Sequence, residues 1–298
     1  MNSLENWLFT NYGIQGKAKL LAGEEDNNYK IECTSGKKYL LKIHHSKTSL
    51  EWINFQESLL ITASSLHLPF QINKLVPDNQ GNSVNKFENQ FARLMTWVEG
   101  EPLGSKKPHT LELCNSIGNG LGLLTQGLQF FEHPEAHRNF KWDIAGFKHW
   151  DLESFEIIHP HISFFKEKLN LLNTSSFRRG IVYNDANDYN ILVKTNPEGL
   201  KFSGLIDFGD AVFTDIINDV AIACTYLMLK KKNPLIYAAE IVKGYHAAYP
   251  LLEEEVEALH TLIGARLSMS ILISDENARL FPENEYLQIS SKDAKDLI

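Results

Sequence analysis

The chain has 298 residues, and its 29 lysines and arginines against 37 aspartates and glutamates give a formal net charge of −8 at pH 7. An acidic chain of this kind argues against a nucleic-acid-binding surface, which needs a basic face, and agrees with a cationic small-molecule ligand. Its three widely spaced cysteines show no metal-binding pattern and are typical of a reducing compartment. We find no leader pattern and no apolar stretch that we judge long enough to span a membrane, and therefore expect a cytoplasmic protein without membrane contacts.

The N-terminal part predicts a small antiparallel sheet that carries one unusual lysine. Lys42 lies in the otherwise apolar run Tyr39–Ile43, and lysines are rarely buried without a partner. Lys42 is therefore the natural candidate to bind an anionic group such as phosphate; a lysine on an edge strand that faces solvent is the alternative. The predicted strands are Lys17–Ala22, Tyr29–Cys33 and Lys38–His44.

The turn between the first two predicted strands, Ala22–Asn28, is expected to cover the phosphates. Its single glycine and three acids do not form a glycine-rich phosphate loop, so the backbone amides of Asn27 and Asn28 are the expected donors. The following segment, Ser49–Leu66, has helical spacing and offers Glu57 as a partner for Lys42, with Glu51 in the first turn as the other candidate.

A linker rich in glycine, proline and lysine, Glu99–Pro108, predicts a boundary between two lobes. We predict an N-lobe over 1–98, a hinge over 99–108 and a C-lobe over 109–298. The C-lobe is expected to be mostly helical, with helices over Thr110–Phe131, Ser154–Leu172, Asp215–Lys232, Pro234–Ala248 and Leu252–Asp275. Four glycines in the first of these helices indicate close backbone packing.

The most informative segment lies between two short apolar strands, Gly180–Tyr183 and Ile191–Val193. The loop between them carries Asp185 and, five residues later, Asn190. A turn then returns the chain through a third strand, which ends at Asp207 of an Asp-Phe-Gly sequence. The three side chains are therefore expected to converge at one cleft.

These residue types suit phosphoryl transfer. An aspartate such as Asp185 can orient a hydroxyl and accept its proton, whereas Asn190 and Asp207 supply the hard oxygen ligands that Mg²⁺ prefers. Aspartate and asparagine also populate ordinary turns, but both loops here are bounded by apolar strands and the pattern D-x₄-N…D-F-G belongs to the kinase signature set. Asp188, in the same loop, either binds a cationic part of the substrate or only closes the turn.

Together these motifs resemble the aminoglycoside phosphotransferase/choline kinase family, a branch of the protein-kinase-like fold, over nearly the whole chain. Asn184–Val193 and Leu205–Ala211 are most similar to hydroxylysine kinase-like proteins. The resemblance implies an α+β, bilobal fold. In that fold, a small β-rich N-lobe contains one main helix and binds the nucleotide phosphates, and a larger helical C-lobe carries the catalytic loop and the acceptor site. The resemblance also implies that Asp185 is the catalytic base, that Asn190 and Asp207 hold Mg²⁺, and that Lys42 meets the phosphates.

The same resemblance assigns further residues. Arg93–Glu99 is similar to the strand and hinge that meet the nucleobase, which makes Thr96 and Val98 expected nucleotide contacts. Asp219 is similar to a buried aspartate that braces the catalytic loop. The family usually has His-Gly before the catalytic aspartate, whereas this chain has Tyr183-Asn184; tyrosine can fill the place of histidine, and asparagine tolerates the backbone angles of glycine.

Acceptor-binding residues are expected on the C-lobe side of Asp185. Trp142 and Asp143 can form a cation site, with a structural tryptophan as the alternative. The similarity to the hydroxylysine kinase-like branch implies that Arg266 holds a substrate carboxylate in a bidentate manner; an arginine bonded to helix ends or to an internal acid is the alternative.

We therefore interpret the chain as a small-molecule kinase that uses Mg²⁺ and ATP or GTP. Its acceptor would be the hydroxyl of an amino acid or small amine such as 5-hydroxylysine. One alternative is an aminoglycoside phosphotransferase, which predicts a wide acidic groove. The other is a nucleotide-binding module without turnover, consistent with the Tyr183-Asn184 departure.

Overall fold

The computed structural model describes residues 3–23, 26–156, 159–280 and 291–298. They form two compact units, one comprising the chain up to Ser65 together with Gln71–Glu99, the other Leu66–Phe70 and the chain from Gly100 onward. The predicted α+β class is confirmed, because the first unit holds an antiparallel sheet and the second is mostly helical. The nucleotide-binding, hinge and acceptor roles of 1–98, 99–108 and 109–298 stay predictions.

The first unit is built on a six-stranded antiparallel sheet in the order β1-β2-β3-β6-β4, with β5 paired to β6. Lys42 lies on β3, between β2 and β6, with Asn28 and Arg93 as its neighbours across the ladder. The edge-strand alternative for Lys42 is therefore wrong. The strands are β1 (Gly16–Leu20), β2 (Asn27–Cys33), β3 (Lys38–Ile43), β4 (Leu75–Val76), β5 (Asn85–Phe87) and β6 (Gln90–Thr96).

Two helices accompany this sheet. The first, α1 (Ser3–Tyr12), was not expected from the sequence, and its residues Leu4 and Leu8 are buried in the core beside Leu41. The second, α2 (Leu50–Ser65), follows Ser49, whose Oγ accepts the N–H of Trp52 at 3.1 Å. A side-chain acceptor at this position satisfies one of the free N–H groups of the first turn.

The second unit contains six helices and two small sheets among the described residues. The sheets have the orders β10-β9-β7 and β11-β8. The helices are α3 (Leu111–Leu128), α4 (Pro160–Leu171), α5 (Ile217–Met228), α6 (Pro234–Ala248), α7 (Glu253–Leu280) and α8 (Ser291–Leu297). The strands are β7 (Glu101–Pro102), β8 (Arg179–Val182), β9 (Ile191–Asn196), β10 (Gly199–Leu205) and β11 (Val212–Asp215).

One predicted helix is shorter than expected. The helix predicted over Ser154–Leu172 begins at Pro160, and 152–154 forms a separate 3₁₀ turn. Proline lacks an N–H and fits only the first turn of a helix, so a helix cannot run through it from Ser154. Ile157 and Ile158 of that prediction lie outside the described residues, as do Glu24 and Glu25 of the predicted phosphate loop.

The glycines of α3 allow close contact with α6, as the sequence indicated. A Cβ on Gly118 would lie 2.0 Å from the carbonyl oxygen of Ile241 on α6, and a Cβ on Gly244 would lie 2.0 Å from that of Asn115 on α3. The two helix backbones thus meet where neither carries a side chain.

Helix α7 corrects one expectation from the sequence. By length and composition this single helix, among the described residues, could cross a membrane. The expectation that no apolar stretch is long enough is therefore wrong. Most of its apolar window is nevertheless buried inside the protein, as in any core helix, so the helix is weak evidence for a membrane span.

The α3–α6 contact leads to a prediction for Gly118→Ala. Alanine is about 1 kcal/mol better than glycine in a helix, but its methyl group would meet the Ile241 carbonyl at 2.0 Å. We expect the free energy of unfolding, measured in urea, to fall by about 2 kcal/mol, because overpacking outweighs propensity.

Gly146→Ala is the matched control, since its nearest new neighbour would be the Phe140 carbonyl at 3.8 Å. Its unfolding free energy should stay within about 0.5 kcal/mol of that of the unsubstituted protein. If both variants were equally stable, the inferred close contact would be contradicted.

Candidate active site

The loop between β8 and β9 holds Asp185 in a network of asparagine side chains. Asn187 Nδ2 donates to Asp185 Oδ1 at 2.8 Å, and Asn190 Nδ2 donates to Asp185 Oδ2. The Oδ1 of Asn187 accepts the N–H groups of Tyr189 and Asn190 at 2.8 and 3.0 Å. Asn187 thereby fixes the loop and the carboxylate together, a role that its place within the motif did not reveal.

Asp207 follows β10, which pairs with β9 so that Leu205 faces Ile191. The N–H of Ile206 donates to the carbonyl of Asn190 at 3.1 Å, which joins the two loops directly before Asp207. Asp207 has a φ of 57°, and its Oδ1 accepts the N–H of Gly209 at 3.1 Å. The strand pairing thus brings the two predicted metal-binding segments together.

Asn190 and Asp207 have the donor chemistry that Mg²⁺ requires. Because Asn190 Nδ2 faces Asp185, the oxygen of the same amide is directed elsewhere and can serve as a ligand. Mg²⁺ is usually held by one or two protein oxygens together with phosphate oxygens and waters. The described residues contain no cluster of three or more His, Cys, Asp or Glu side chains that could hold a metal without such additional ligands.

Charges around Asp185 act on it in opposite directions. Burial, and then the negative charges of Asp210 and Asp207, raise the pKa of Asp185 well above its usual range, while Arg266 opposes them. Arg266 Nη2 lies 3.8 Å from Asp185 Oδ1. Asp210, one residue beyond Asp-Phe-Gly, was not singled out from the sequence as part of the site; only the fold places its charge near Asp185.

Asp219 and Tyr183 anchor the start of the loop. The two oxygens of Asp219 accept the N–H groups of Tyr183 at 3.0 Å and of Asn184 at 2.6 Å, and burial raises the pKa of Asp219 to about 6. The hydroxyl of Tyr183 donates to the Ile206 carbonyl, and its ring packs edge-on against Phe208 at 4.9 Å. Asn184 has a φ of 65°, the backbone region in which asparagine replaces glycine most readily.

Arg266, on α7, is buried against aromatic rings. Its Nη1 donates to the Trp142 carbonyl at 2.8 Å and its Nη2 to the Tyr226 hydroxyl at 3.3 Å. The guanidinium also lies 4.7 Å from the centre of the Trp142 ring and 5.6 Å from that of Tyr226. Trp142 therefore contacts a cation of the protein itself, and its proposed contact with a substrate cation stays a prediction.

Two other predicted acceptor residues have contacts within the protein. Asp143 Oδ1 accepts the Thr214 hydroxyl at 2.8 Å and the Ala145 N–H at 3.1 Å, so this carboxylate has partners within the protein, and its contact with a substrate cation stays a prediction. Asp188 lies against the 3₁₀ turn at Gly104, whose N–H donates to its carbonyl at 2.8 Å, and burial raises the pKa of its carboxyl group. Both alternatives for Asp188 remain open.

In the first unit, Lys42 forms an ion pair with Asp26. Glu57 is the partner that the sequence predicted. Lys42 Nζ lies 3.6 Å from Asp26 Oδ2, and Asp26 also accepts from His44 Nδ1 at 3.2 Å and from the His45 N–H at 2.8 Å. Burial alone would raise the pKa of Asp26, but the His44 hydrogen bond and the charge of Lys42 outweigh it and lower that pKa. The net direction makes Asp26 a stable anion beside the predicted phosphate-binding lysine.

A hydrogen-bonded chain continues from His44 to α2. Arg93 Nε donates to His44 Nε2 at 3.0 Å, and Arg93 Nη2 donates to Gln56 Oε1. Burial lowers the pKa of His44 and outweighs the Asp26 hydrogen bond, which raises it; the charge of Arg93 acts in the same direction as burial. Because Nε2 accepts from Arg93, the hydrogen-bonded ring carries its proton on Nδ1, which faces Asp26. The neighbouring Glu57 has a buried Oε1 without a hydrogen-bond partner among the described residues, and its pairing with Lys42 stays a prediction.

Four residues were predicted to contact the nucleotide through their backbone, and one of them, Thr96, has backbone hydrogen bonds within the protein. The N–H of Thr96 donates to the Lys74 carbonyl at 2.8 Å, and the carbonyl of Thr96 accepts from Asn73 Nδ2 at 2.9 Å. Val98 is buried, and its contact with a nucleobase stays a prediction. Asn27 and Asn28 begin β2, and their role as phosphate donors likewise stays a prediction.

The brace at Asp219 leads to a prediction for Asp219→Ala. The substitution leaves two buried N–H groups without an acceptor. Each unsatisfied buried donor costs about 1–3 kcal/mol of folding free energy. We expect the free energy of unfolding to fall by about 3 kcal/mol in urea denaturation. Asp219→Asn, which keeps one acceptor oxygen, should lose less; an alanine variant as stable as the parent would contradict the brace.

The chain matches the family model described as the phosphotransferase enzyme family over residues 17–255. It is 30% identical to a hydroxylysine kinase of Xenopus laevis, covering 94% of this chain and 84% of that protein. It is 29% identical to a hydroxylysine kinase of Mus musculus, covering 93% and 82%. A solved amicoumacin kinase in complex with AMP-PNP, Ca²⁺ and Ami has a TM-score of 0.71 at 18% identity, covering 99% of this chain and 92% of that one.

The structural likeness confirms the kinase-like fold, and the family match spans both units. Together with a loop that carries Asp185 and Asn190 and is joined to Asp207 by strand pairing, these findings identify the class of enzyme. The chain belongs to the phosphotransferase enzyme family and is a small-molecule kinase similar to hydroxylysine kinases.

Proposed function

We propose that this kinase transfers the γ-phosphate of ATP or GTP to the hydroxyl group of an amino acid, with 5-hydroxylysine or a close relative as acceptor. The observation that carries the proposal is the position of Asp185, held by Asn187 and Asn190 and lying 3.8 Å from a buried arginine. The hydroxylysine kinases among its relatives, at 29–30% identity, support the acceptor class.

Asp185 would orient the acceptor hydroxyl and take its proton as the oxygen attacks the γ-phosphate. Its two oxygens are fixed by amide donors, so the carboxylate is already oriented before the acceptor binds. Phosphoryl transfer depends mainly on positioning and electrostatic stabilisation rather than on covalent chemistry by the protein. A base that is held rigidly in this way positions the acceptor hydroxyl for attack on the γ-phosphate.

Asn190 and Asp207 would hold Mg²⁺, which when bound neutralises charge on the transferring phosphate. Lys42 would contact the phosphates from β3.

The role of Asp185 leads to a prediction for Asp185→Asn. Phosphate transfer from ATP and from GTP with Mg²⁺ would be measured on hydroxylysine, homoserine, ethanolamine, choline and kanamycin. We expect transfer to an amino acid, reduced at least 100-fold by the substitution because asparagine cannot accept the proton.

Asp151→Asn is the matched control, since the exposed Asp151 only caps a 3₁₀ turn, and its activity should be unchanged. Transfer only to kanamycin would favour an aminoglycoside phosphotransferase. Binding of Mg²⁺-nucleotide without transfer to any acceptor would contradict the proposed catalysis and favour a silent binding module.

The Lys42–Asp26 pair leads to a prediction for nucleotide affinity. Asp26 competes with phosphate for the same ammonium group, so Asp26→Asn should tighten Mg²⁺-ATP binding about 5-fold, equivalent to about 1 kcal/mol. Calorimetry would measure the change, with Asp78→Asn as control because Asp78 caps a different loop of the same unit. Weaker binding by Asp26→Asn alone would mean that Asp26 orders the loop for the nucleotide instead.

A further inference from the structure

Arg266 is a buried cation that the protein does not fully satisfy. Its side chain is only 2% exposed, yet among the described residues its Nε has no hydrogen-bond partner. A guanidinium has five N–H donors, and the described contacts use one on each terminal nitrogen. Burying a charge with unused donors is costly unless an anion compensates it.

The negative charges of Asp185 and Asp210 stabilise the cation, but no described acid accepts a hydrogen bond from it. Asp185 Oδ1 is the nearest carboxylate oxygen in an ion pair, and its 3.8 Å separation from Nη2 exceeds hydrogen-bond length. Asp185 is also committed to the amides of Asn187 and Asn190. The arginine therefore keeps donor capacity beside the predicted base.

The surroundings hold the guanidinium in one orientation. The Trp142 carbonyl and the Tyr226 hydroxyl each accept from one terminal nitrogen, and the two aromatic rings lie against the cation. The Tyr226 hydroxyl lies 3.3 Å from Oγ of Ser270, which is one turn beyond Arg266 on α7. A planar donor group that is fixed in this way is suited to binding a carboxylate, and little further ordering is needed.

We infer that Arg266 binds the α-carboxylate of the acceptor, so that the enzyme selects amino acids over amines that lack a carboxylate. The inference rests on the proposed function and adds its specificity determinant. Because Arg266 and Asp185 are adjacent, an acceptor anchored by its carboxylate presents its remaining chain, and thus its hydroxyl, to the base.

The test compares acceptor pairs that differ only in the carboxylate. One pair is 5-hydroxylysine and 1,5-diaminopentan-2-ol; the other is homoserine and 3-aminopropan-1-ol. The readout is the ratio of kcat/KM between the two members of a pair. Loss of folding or of the base lowers kcat/KM for both members of a pair by the same factor. Loss of a carboxylate contact lowers kcat/KM for the amino acid alone and therefore changes the ratio.

We expect the unsubstituted enzyme to prefer the amino acid of at least one pair by about 10- to 100-fold, the range for a hydrogen bond to a charged partner. Arg266→Met should bring the ratio close to one, and Arg266→Lys, which keeps the charge, should give an intermediate ratio. Arg279→Met is the matched control because Arg279 lies on the same helix and is exposed; it should leave the ratio unchanged.

A binding experiment separates this inference from the proposed function. L-Lysine, which has no hydroxyl to phosphorylate, should bind more tightly than cadaverine to the unsubstituted protein but not to Arg266→Met, as measured by calorimetry. Equal ratios in all variants, or equal binding of the two ligands, would overturn the subsite. Absence of transfer to every amino acid, with the lysine preference intact, would overturn the proposed function alone.

Discussion

One buried carboxylate determines where the reactive loop begins. Asp219 accepts the backbone N–H groups of Tyr183 and Asn184, and β8 ends immediately before them. Because both N–H groups lie in the interior, they need acceptors, and Asp219 on α5 supplies both from one side chain. The position of Asp185, one residue further, follows from this contact.

The same segment is tied to the Asp-Phe-Gly turn by a tyrosine. The hydroxyl of Tyr183 reaches the carbonyl of Ile206, one residue before Asp207, while the N–H of Ile206 binds the Asn190 carbonyl. Tyr183, at the position where the family resemblance leads us to expect histidine, therefore forms a polar link between the two loops. The positive φ of Asn184 explains why asparagine can stand where the family usually has glycine.

The two units balance buried charge in different ways. In the first, Lys42 and Asp26 compensate each other at 3.6 Å, and His44 and Arg93 extend the network to α2. In the second, the pKa of Asp185 is raised by burial and by neighbouring acids, and Arg266 offsets them only in part. Incomplete compensation of this kind is typical of sites that bind charged ligands.

The sequence by itself determined the α+β class, the strands on either side of the Asp185 loop, the buried lysine of β3 and the close contact of the α3 glycines. Each of these depends on local spacing, on apolar runs or on a residue type with few alternatives. The tertiary structure alone decided that Asp26 faces Lys42, that Asp210 and Arg266 act on Asp185, and that Asp143 is used within the fold. These contacts join residues far apart in sequence, or depend on which way a short loop turns, and no local pattern encodes such pairings.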